Sequence, residues 1–408
     1  MIGAALVAGV EEVAVVNLAR IGWQAMRGRD PEEEHRVSTP LELFFDLCFV
    51  VAVGQAAAQL HHTLDEGHLG GGLAGYAAVF FAIWWAWVNF TWFASAYDTD
   101  DVLYRVLTLL QMSGVLVLAA GVPAAFQDYD FTVVTIGYVL MRISMICHWV
   151  RAAVEDPAGR ATARRFAIGI AVVQLGWIAR LWAPGTWVYV TFVVMVLAEL
   201  AVPVWAESNR PTRWHPEHIA ERYGLFTIIV LGEVILGALT AVQSAFAEFG
   251  LSPALIMIAA GGLVLVFVVW WTYFAAGEPR LRSLRVALTW GYGHFVVFAA
   301  IAALGSGLEV AVDTAGHHSH ISDQSAAFAI AVPAALVLVA LGLLHRLAGT
   351  GAMRNFGFVV AGAVVVLALP FSAPLIGLGG AVVGMAAALV VTLVVNCRGA
   401  GSGVESRA

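Results

Sequence analysis

Residues 221–237, ERYGLFTIIVLGEVILG, begin with Glu221 and Arg222 and continue as an apolar run that is interrupted by one acidic residue, Glu233. In a helix, Glu233 follows Glu221 by roughly 18 Å of rise, which places it near the middle of a hydrocarbon core about 30 Å thick. A lone carboxylate at that depth is costly unless it is protonated, paired or hydrated. The run therefore predicts a membrane-crossing helix that carries a buried ionisable group.

The composition of the whole chain favours the same environment. Of its 408 residues, 61% are hydrophobic and 12% are charged, and the mean hydropathy is +0.84. Soluble domains are about 45–50% apolar and about 25% charged. Apolar runs of about 18 or more residues recur along nearly the whole length, each long enough to cross a bilayer as a helix. The composition leaves no room for a second, soluble domain.

These runs predict an all-α polytopic membrane protein with about twelve transmembrane helices. The predicted spans are 41–60, 71–95, 102–122, 132–152, 164–182, 187–206, 221–242, 253–276, 286–311, 325–345, 355–371 and 375–397. The corresponding regions are a cytoplasmic N-terminal segment (1–40), a first six-helix half (41–206), a second six-helix half (207–397) and a flexible cytoplasmic tail (398–408). An apolar run broken by two acids predicts an amphipathic surface helix within the N-terminal segment.

The basic residues indicate how the chain is oriented. All 21 of them are arginines, and 19 lie in the N-terminal segment, in the tail or around the connections after even-numbered spans. The exceptions are Arg142, in the middle of span 4, and Arg180, near the outer end of span 5. Because short cytoplasmic loops carry the positive charge, we expect both termini to lie in the cytoplasm and the number of spans to be even.

A weak internal repeat indicates duplicated halves. The segment VNFTWFAS at 88–95 aligns without gaps with VWWTYFAA at 269–276, an offset of 181 residues, and Glu42 matches Glu221 at an offset of 179. Halves of six spans each would have the same orientation, related by an axis along the membrane normal. Transporters commonly bind substrate at such a repeat interface.

Two stretches together resemble the bacterial low temperature requirement protein A family. They are STPLELFFDLCFVVAVGQAAAQLHH at 38–62 and HPEHIAERYGLFTIIVLGEVILG at 215–237. The E-L-F-F-D-L start of the first and the E-R-Y-G-L-F and L-G-E elements of the second are similar to that family's signature. The resemblance covers essentially the whole chain. It implies a polytopic bacterial membrane protein, which we expect in the cytoplasmic (inner) membrane. The family is named for a cold-growth phenotype, and its biochemical activity is not established.

Glu233 and Arg142 are the main candidates for proton coupling. Arg142 is always charged and lies at a similar depth to Glu233, so it needs an acidic partner, for which Glu233 and Glu199 are the candidates. A pair between Arg142 and Glu233 would link the two predicted halves. The alternative is a purely structural buried ion pair.

A second candidate group lies at the cytoplasmic ends of the spans. Glu42 and Asp46, at i and i+4, share one helix face and would form an ion or proton entry site. The structural alternative is a helix cap paired with Arg105, because acids near a helix N-terminus remain ionised at little cost. Glu221 with Arg282 or Arg285 would repeat the arrangement, and both sets together would form a cytoplasmic gate.

Several histidines are further candidates. His294, inside span 9, would relay protons, although a lone histidine in a helix is more often a hydrogen-bonded core residue. The predicted external loops carry His61, His62, His68, His317, His318 and His320, with Asp65, Glu66 and Asp313 nearby. These side chains suit Zn²⁺, Ni²⁺ or Cu²⁺, but neither cluster has the tight spacing of a structural metal site. We therefore predict no bound metal and no cofactor.

The sequence leaves three functions open. No Walker loop, GxSxG elbow or HExxH motif is present, so an ATP-driven pump or a familiar hydrolase has no support in the sequence, and nothing indicates nucleic-acid binding. The favoured interpretation is a proton- or ion-coupled secondary transporter of an unknown small solute. The alternatives are a membrane enzyme acting on lipid, with Glu233 and His294 as acid–base groups, and a non-transporting scaffold for cold adaptation. The expected partners are the lipid bilayer and the solute or proton, and the oligomeric state stays open.

Overall fold

The computed structural model describes residues 22–30, 33, 36–67, 69–275, 277, 279–316, 319–350 and 355–401. Within them the chain is helical, and no strand occurs. The helices are α1 (Pro40–Asp65), α2 (Leu69–Ala96), α3 (Val102–Gln127), α4 (Thr132–Glu155), α5 (Arg160–Arg180), α6 (Trp187–Ala206), α7 (Pro216–Phe249), α8 (Pro253–Phe274), α9 (Leu284–Ala315), α10 (Asp323–Leu347), α11 (Phe356–Ala368) and α12 (Ala373–Gly401). The predicted amphipathic helix lies outside the described residues.

Ten segments of the described chain are long and apolar enough to cross a membrane. Helices suit this environment because they satisfy their backbone hydrogen bonds internally. The predicted count of twelve spans is not confirmed, for two reasons. Helix α5 is not among the ten segments because several arginines lower its hydropathy. The last two predicted spans form one apolar stretch, Phe356–Asn396, in which a short 3-10 helix at Leu369–Ser372 joins α11 to α12.

Serine caps fix the starts of three helices in the second half of the chain. The hydroxyls of Ser252, Ser283 and Ser322 accept hydrogen bonds from the backbone N–H groups three residues later, at 3.1, 3.3 and 3.2 Å. Such caps satisfy N–H groups that have no partner inside the helix. A break of another kind lies in α12, where Gly377 has a φ of 76°, a conformation that favours glycine.

The chain divides into two compact units. The first contains the described residues of Met1–Phe49, Ala86–Gly121 and Phe131–Ile219, and the second those of Val50–Trp85, Val122–Asp130 and Ala220–Ala408. In the first unit, α5 packs against both α4 and α6. In the second, α9 packs against α10, and α12 packs against α8. The predicted duplication of six-helix halves is not confirmed by this division.

Large apolar side chains are exposed on several helix faces. On α6, Val190, Val193, Val194 and Leu197 are each at least half exposed. Water-soluble proteins rarely expose contiguous apolar patches of this kind. These faces are therefore suited to contact with lipid, and the structure is that of a multi-pass helical membrane protein.

Candidate functional site

A cavity of about 400 Å³ lies within the second unit, between α1, α7 and α9. Its apolar lining residues are Val53, Ala57, Ala58, Val230, Val234, Leu236, Ala241 and Ala302. Small polar side chains, Thr240 and Ser244, extend the lining along α7. Ligand sites in proteins are typically about 300–1,000 Å³ in volume, so the cavity is large enough for a small solute.

Four ionisable side chains line this cavity and form what we call the acidic cluster: Glu233 of α7, Glu309 and Asp313 of α9, and His61 of α1. Glu309 and Asp313 are one helical turn apart and share a face. His61 lies between them: its Nε2 atom is 2.7 Å from Asp313 Oδ2, and its Nδ1 atom is 3.9 Å from Glu309 Oε2. An imidazole between two carboxylates can accept a proton from one and donate it to the other.

Glu233 lies about 25 Å of helix rise from the start of α7. Its side chain is half-buried, and it forms no hydrogen bond or ion pair with another residue of the described chain. No arginine is among the described residues that line the cavity. The Glu233 carboxyl group is therefore available to bind a proton or a cation that enters the cavity.

Two glycines make room for the carboxylates of the acidic cluster. A Cβ atom at Gly54 would collide with Glu233 Oε1, and one at Gly237 would collide with Glu309 Oε1. Gly237 follows Glu233 by one turn on the same face of α7. The Glu309 carboxylate thus lies against the stretch of α7 that carries Glu233, and a glycine is needed for this approach.

Arg142 is paired with Glu199, which was one of its two candidate partners. Arg142 Nη2 lies 3.3 Å from Glu199 Oε2, and both side chains are at most 2% exposed. Tyr138 donates a hydrogen bond to Glu199 Oε1 over 2.8 Å and accepts one from Arg142. Trp177 Nε1 also donates to Glu199 Oε1, over 3.1 Å. This network joins α4, α5 and α6 within the first unit, so the geometry favours the structural interpretation of Arg142 and Glu199.

The predicted pairing of Arg105 with the acids at the start of α1 does not appear among its contacts. Arg105 is nearly half exposed and pairs with Asp100, only five residues earlier, at 2.8 Å. Glu42 instead lies 3.2 Å from Nε2 of His218, and Asp46 accepts a hydrogen bond from Trp87 Nε1 over 2.7 Å. The two acids are fully buried in the first unit. Their predicted role at a gate stays a prediction.

The predicted second copy of this arrangement of acids and arginines, Glu221 with Arg282 or Arg285, lies in the second unit. Glu221 is half-buried in the second turn of α7, and Arg282 and Arg285 are exposed at and before the start of α9. The exposed guanidinium groups contrast with the burial of Glu42 and Asp46. The predicted gate at Glu221 and Arg285 therefore also stays a prediction.

Asp98, in the connection between α2 and α3, gives the first unit a pH-dependent contact. Its carboxylate lies 3.2 Å from Arg29, but burial raises its pKa from 3.8 to about 6, with a further contribution from the charge of Glu42. Because the pKa of the folded state is raised, the contribution of Asp98 to stability is fully present below about pH 4. It is lost as the pH rises through about 6.

We therefore expect the stability difference between the wild type and Asp98→Asn to depend on pH. Relative to the variant, the wild type should lose up to about 3 kcal/mol of unfolding free energy between pH 4 and pH 8. Unfolding of both proteins in detergent at a series of pH values measures this difference. A difference that stays constant over this range would show that burial does not shift the titration of Asp98.

His294 is enclosed by aromatic rings and does not line the cavity. Its Nδ1 atom is 2.8 Å from the backbone oxygen of Trp290, and its Nε2 atom is 3.2 Å from the hydroxyl of Tyr273. The ring packs against Tyr223 and Phe298. Both ring nitrogens have partners and the side chain is buried, which favours the core interpretation over the relay.

The predicted histidine-rich loops are only partly described. His68, His317 and His318 lie outside the described residues, while His61 belongs to the acidic cluster. Among the residues that the structure does describe, no group of three or more His, Cys, Asp or Glu side chains is arranged to hold a metal ion.

Glu309 is the member of the acidic cluster that the sequence interpretation missed. It lies in the apolar stretch LGSGLEVAVDTA of α9, two residues before the predicted end of span 9. The signal was present, because an acid inside an apolar run is the same feature that singled out Glu233. Asp313, one turn later, had been assigned to an external loop.

The helices and the acidic cluster together define a polytopic helical membrane protein with ionisable groups in a cavity between helices that are long and apolar enough to cross a membrane. A sequence profile described as "Bacterial low temperature requirement A protein (LtrA)" matches residues 37–395. The chain belongs to this LtrA family. An uncharacterized protein of Rhizobium meliloti (strain 1021) is 30% identical over 262 residues, which are 62% of this chain and 61% of that relative. No solved structure matches the chain significantly.

Proposed function

We propose that this LtrA family protein is a proton- or ion-coupled secondary transporter of a small solute, and that the acidic cluster is its coupling site. One observation carries the proposal: Glu233, in a helix suited to crossing a membrane, lines a cavity of about 400 Å³ and has no ionic partner among the described residues. Intramembrane ionisable groups that face a cavity commonly mark ion or proton pathways. An ion and a solute that share this cavity would influence each other's binding.

The order of the ionisable groups supports a proton path. His61 and Asp313 lie near the C-terminal ends of α1 and α9, whereas Glu233 lies deep within α7. Glu309 lies between this pair and Glu233, because its carboxylate approaches both His61 and Gly237, one turn after Glu233 on α7. Protons would enter through the pair of His61 and Asp313 and reach Glu233 by way of Glu309.

The transporter proposal includes a topology of twelve spans. Helix α5 has 21 residues, a length of about 31 Å, and its arginines lie near its two ends, where they can reach the membrane surfaces. The break at Gly377 supports separate crossings by α11 and α12. An even number of spans and the arginine distribution then place both termini in the cytoplasm. The pathway would open to the outside through the ends of α1 and α9, and the matching segments support two parallel repeats.

Purified protein in sealed liposomes with an internal pH dye tests the function. We expect pools of added solutes to include one that causes proton movement across the membrane, with no movement in empty liposomes. Lipids of expressing cells should be unchanged. Altered lipids without solute-dependent proton movement would support the alternative of a lipid-modifying enzyme. Neither effect would support the non-transporting scaffold.

A glycine substitution tests whether the position of Glu309 matters. Gly237→Ala is expected to leave the protein folded, because the carboxylate at the end of a flexible side chain can move aside. The displaced carboxylate should lower solute-dependent proton movement on the order of 10- to 100-fold, the size of effect that small misplacements produce. Gly232→Ala is the matched control, since a Cβ atom there meets open space on the same helix. Equal rates in the two variants would contradict the role of Glu309.

A further inference from the structure

A second cavity lies on the surface of the first unit, between the end of α4 and the start of α5. It has a volume of about 470 Å³ and is lined by Val150, Ala153 and Val154 of α4 and by Arg160, Arg164, Ala167 and Ile168 of α5. We call it the α4–α5 groove. It shares no lining residue with the cavity of the acidic cluster, and no step of the proposed transport uses it.

The lining of the groove is partly basic and partly apolar. Arg160 and Arg164, one turn apart in the first two turns of α5, are its basic residues, and both are exposed. Val150, Val154 and Ile168 are 48%, 67% and 58% exposed and form the apolar walls. Because α4 is long and apolar enough to cross a membrane, exposed aliphatic side chains on it are suited to contact with acyl chains. The groove thus offers guanidinium groups to a headgroup and an apolar wall to a hydrocarbon chain.

The charges around the groove favour an anion. No acidic residue lines it. The two acids at the C-terminal end of α4 are engaged elsewhere: Glu155, its last residue, pairs with Arg151 at 3.2 Å, and Asp156, the next residue, accepts a hydrogen bond from Tyr97 over 3.1 Å. The groove therefore lacks an internal neutralising partner for its arginines.

Arg160 and Arg164 differ in the hydrogen bonds that their side chains form. Arg160 donates hydrogen bonds to the backbone oxygens of Ala153 and Val154, over 3.0 and 3.3 Å, so it is held at the groove by the end of α4. Arg164 forms no hydrogen bond or ion pair with any described residue, and all of its N–H donors remain available. A guanidinium group can bind two phosphate oxygens at once.

We propose that the α4–α5 groove binds an anionic phospholipid, with its phosphate on Arg164 and Arg160 and an acyl chain along Val150, Val154 and Ile168. Basic pockets between membrane helices are suited to anionic headgroups. The apolar walls make a lipid a better occupant than a free phosphate ion, because a water-soluble anion would leave them exposed.

Lipid retention measured by native mass spectrometry tests this proposal. Purified full-length protein is exposed to an equimolar mixture of phosphatidylglycerol and phosphatidylcholine with identical acyl chains. The wild type should retain phosphatidylglycerol preferentially. Arg164→Gln should lower this preference about fivefold, the effect of one basic residue on an anionic lipid. Arg282→Gln is the matched control, because Arg282 is also exposed but lies in the other unit.

A second variant and a soluble competitor complete the experiment. Ile168→Trp fills the groove from an exposed position, so it should lower phosphatidylglycerol retention while leaving the protein folded. Glycerol 3-phosphate, which has the phosphate without acyl chains, should not displace the lipid. The proposal is overturned if Arg164→Gln keeps the wild-type preference or if Arg282→Gln loses as much. Displacement by glycerol 3-phosphate would instead identify a site for a free phosphate.

Discussion

Arg142→Met is expected to lower the free energy of unfolding by about 3–5 kcal/mol, the typical cost of removing one partner from a buried ion pair. The substitution leaves the Glu199 carboxylate in a site where its side chain is only 2% exposed. Tyr138 and Trp177 still donate hydrogen bonds to it, but they supply no positive charge. The protein should accumulate poorly in membranes, and what is purified should unfold at a lower temperature in detergent.

A double variant separates lost pairing from lost packing. Combining Arg142→Met with Glu199→Gln removes the uncompensated charge and keeps an oxygen that accepts from Tyr138 and Trp177. More than half of the lost stability should return. Arg285→Met is the control, because substitution of an exposed arginine typically changes stability by less than about 0.5 kcal/mol. If Arg142→Met unfolds like Arg285→Met, the buried pair does not stabilise the first unit.

Glu233→Gln is expected to abolish proton movement without lowering the stability of the protein, in contrast to Arg142→Met. The protein should fold and accumulate normally, because the Glu233 carboxylate has no ionic partner among the described residues and a neutral amide of the same shape fits its site. Solute-dependent proton movement should fall to the level of empty liposomes, because an amide cannot bind and release a proton in this pH range. Thermal unfolding and the internal pH dye measure the two effects on one preparation.

Glu217→Gln is the matched control for this substitution. Glu217 also lies on α7 but is exposed in its first turn, outside the cavity lining. It should retain wild-type proton movement. Failure of Glu233→Gln to accumulate would favour a structural role for Glu233 over a role in coupling.

Hydropathy located the helices well, but it did not locate their ends. The predicted span 221–242 lies within α7, which continues to Phe249. The extra residues include Gln243, Ser244 and Glu248, which lower the hydropathy of the run without preventing a helix. For the same reason Asp313 was assigned to a loop, although α9 extends to Ala315. A hydropathy pattern marks the apolar part of a helix, whereas the helix itself continues into polar surroundings.

The pairing of charged side chains was the least predictable feature. Helical periodicity shows which residues of one helix share a face, but it does not show which other helix that face meets. Arg142 therefore had two candidate acids, and the choice of Glu199 depends on the packing of α4, α5 and α6. Arg105 was assigned a partner on another helix, whereas Asp100 was available five residues away. The position of Glu233 within a helix suited to crossing a membrane was predictable from its own run, but its half-burial beside a cavity and its proximity to Glu309 were not.

The most direct test of the central proposal is solute accumulation driven by an imposed pH gradient in sealed proteoliposomes. Once a solute that moves protons is identified, its uptake is compared in the wild type, Glu233→Gln and Glu217→Gln at equal protein content. The wild type and Glu217→Gln should concentrate the solute against its gradient, and Glu233→Gln should not. Accumulation by Glu233→Gln to the wild-type level would contradict the assignment of proton coupling to Glu233.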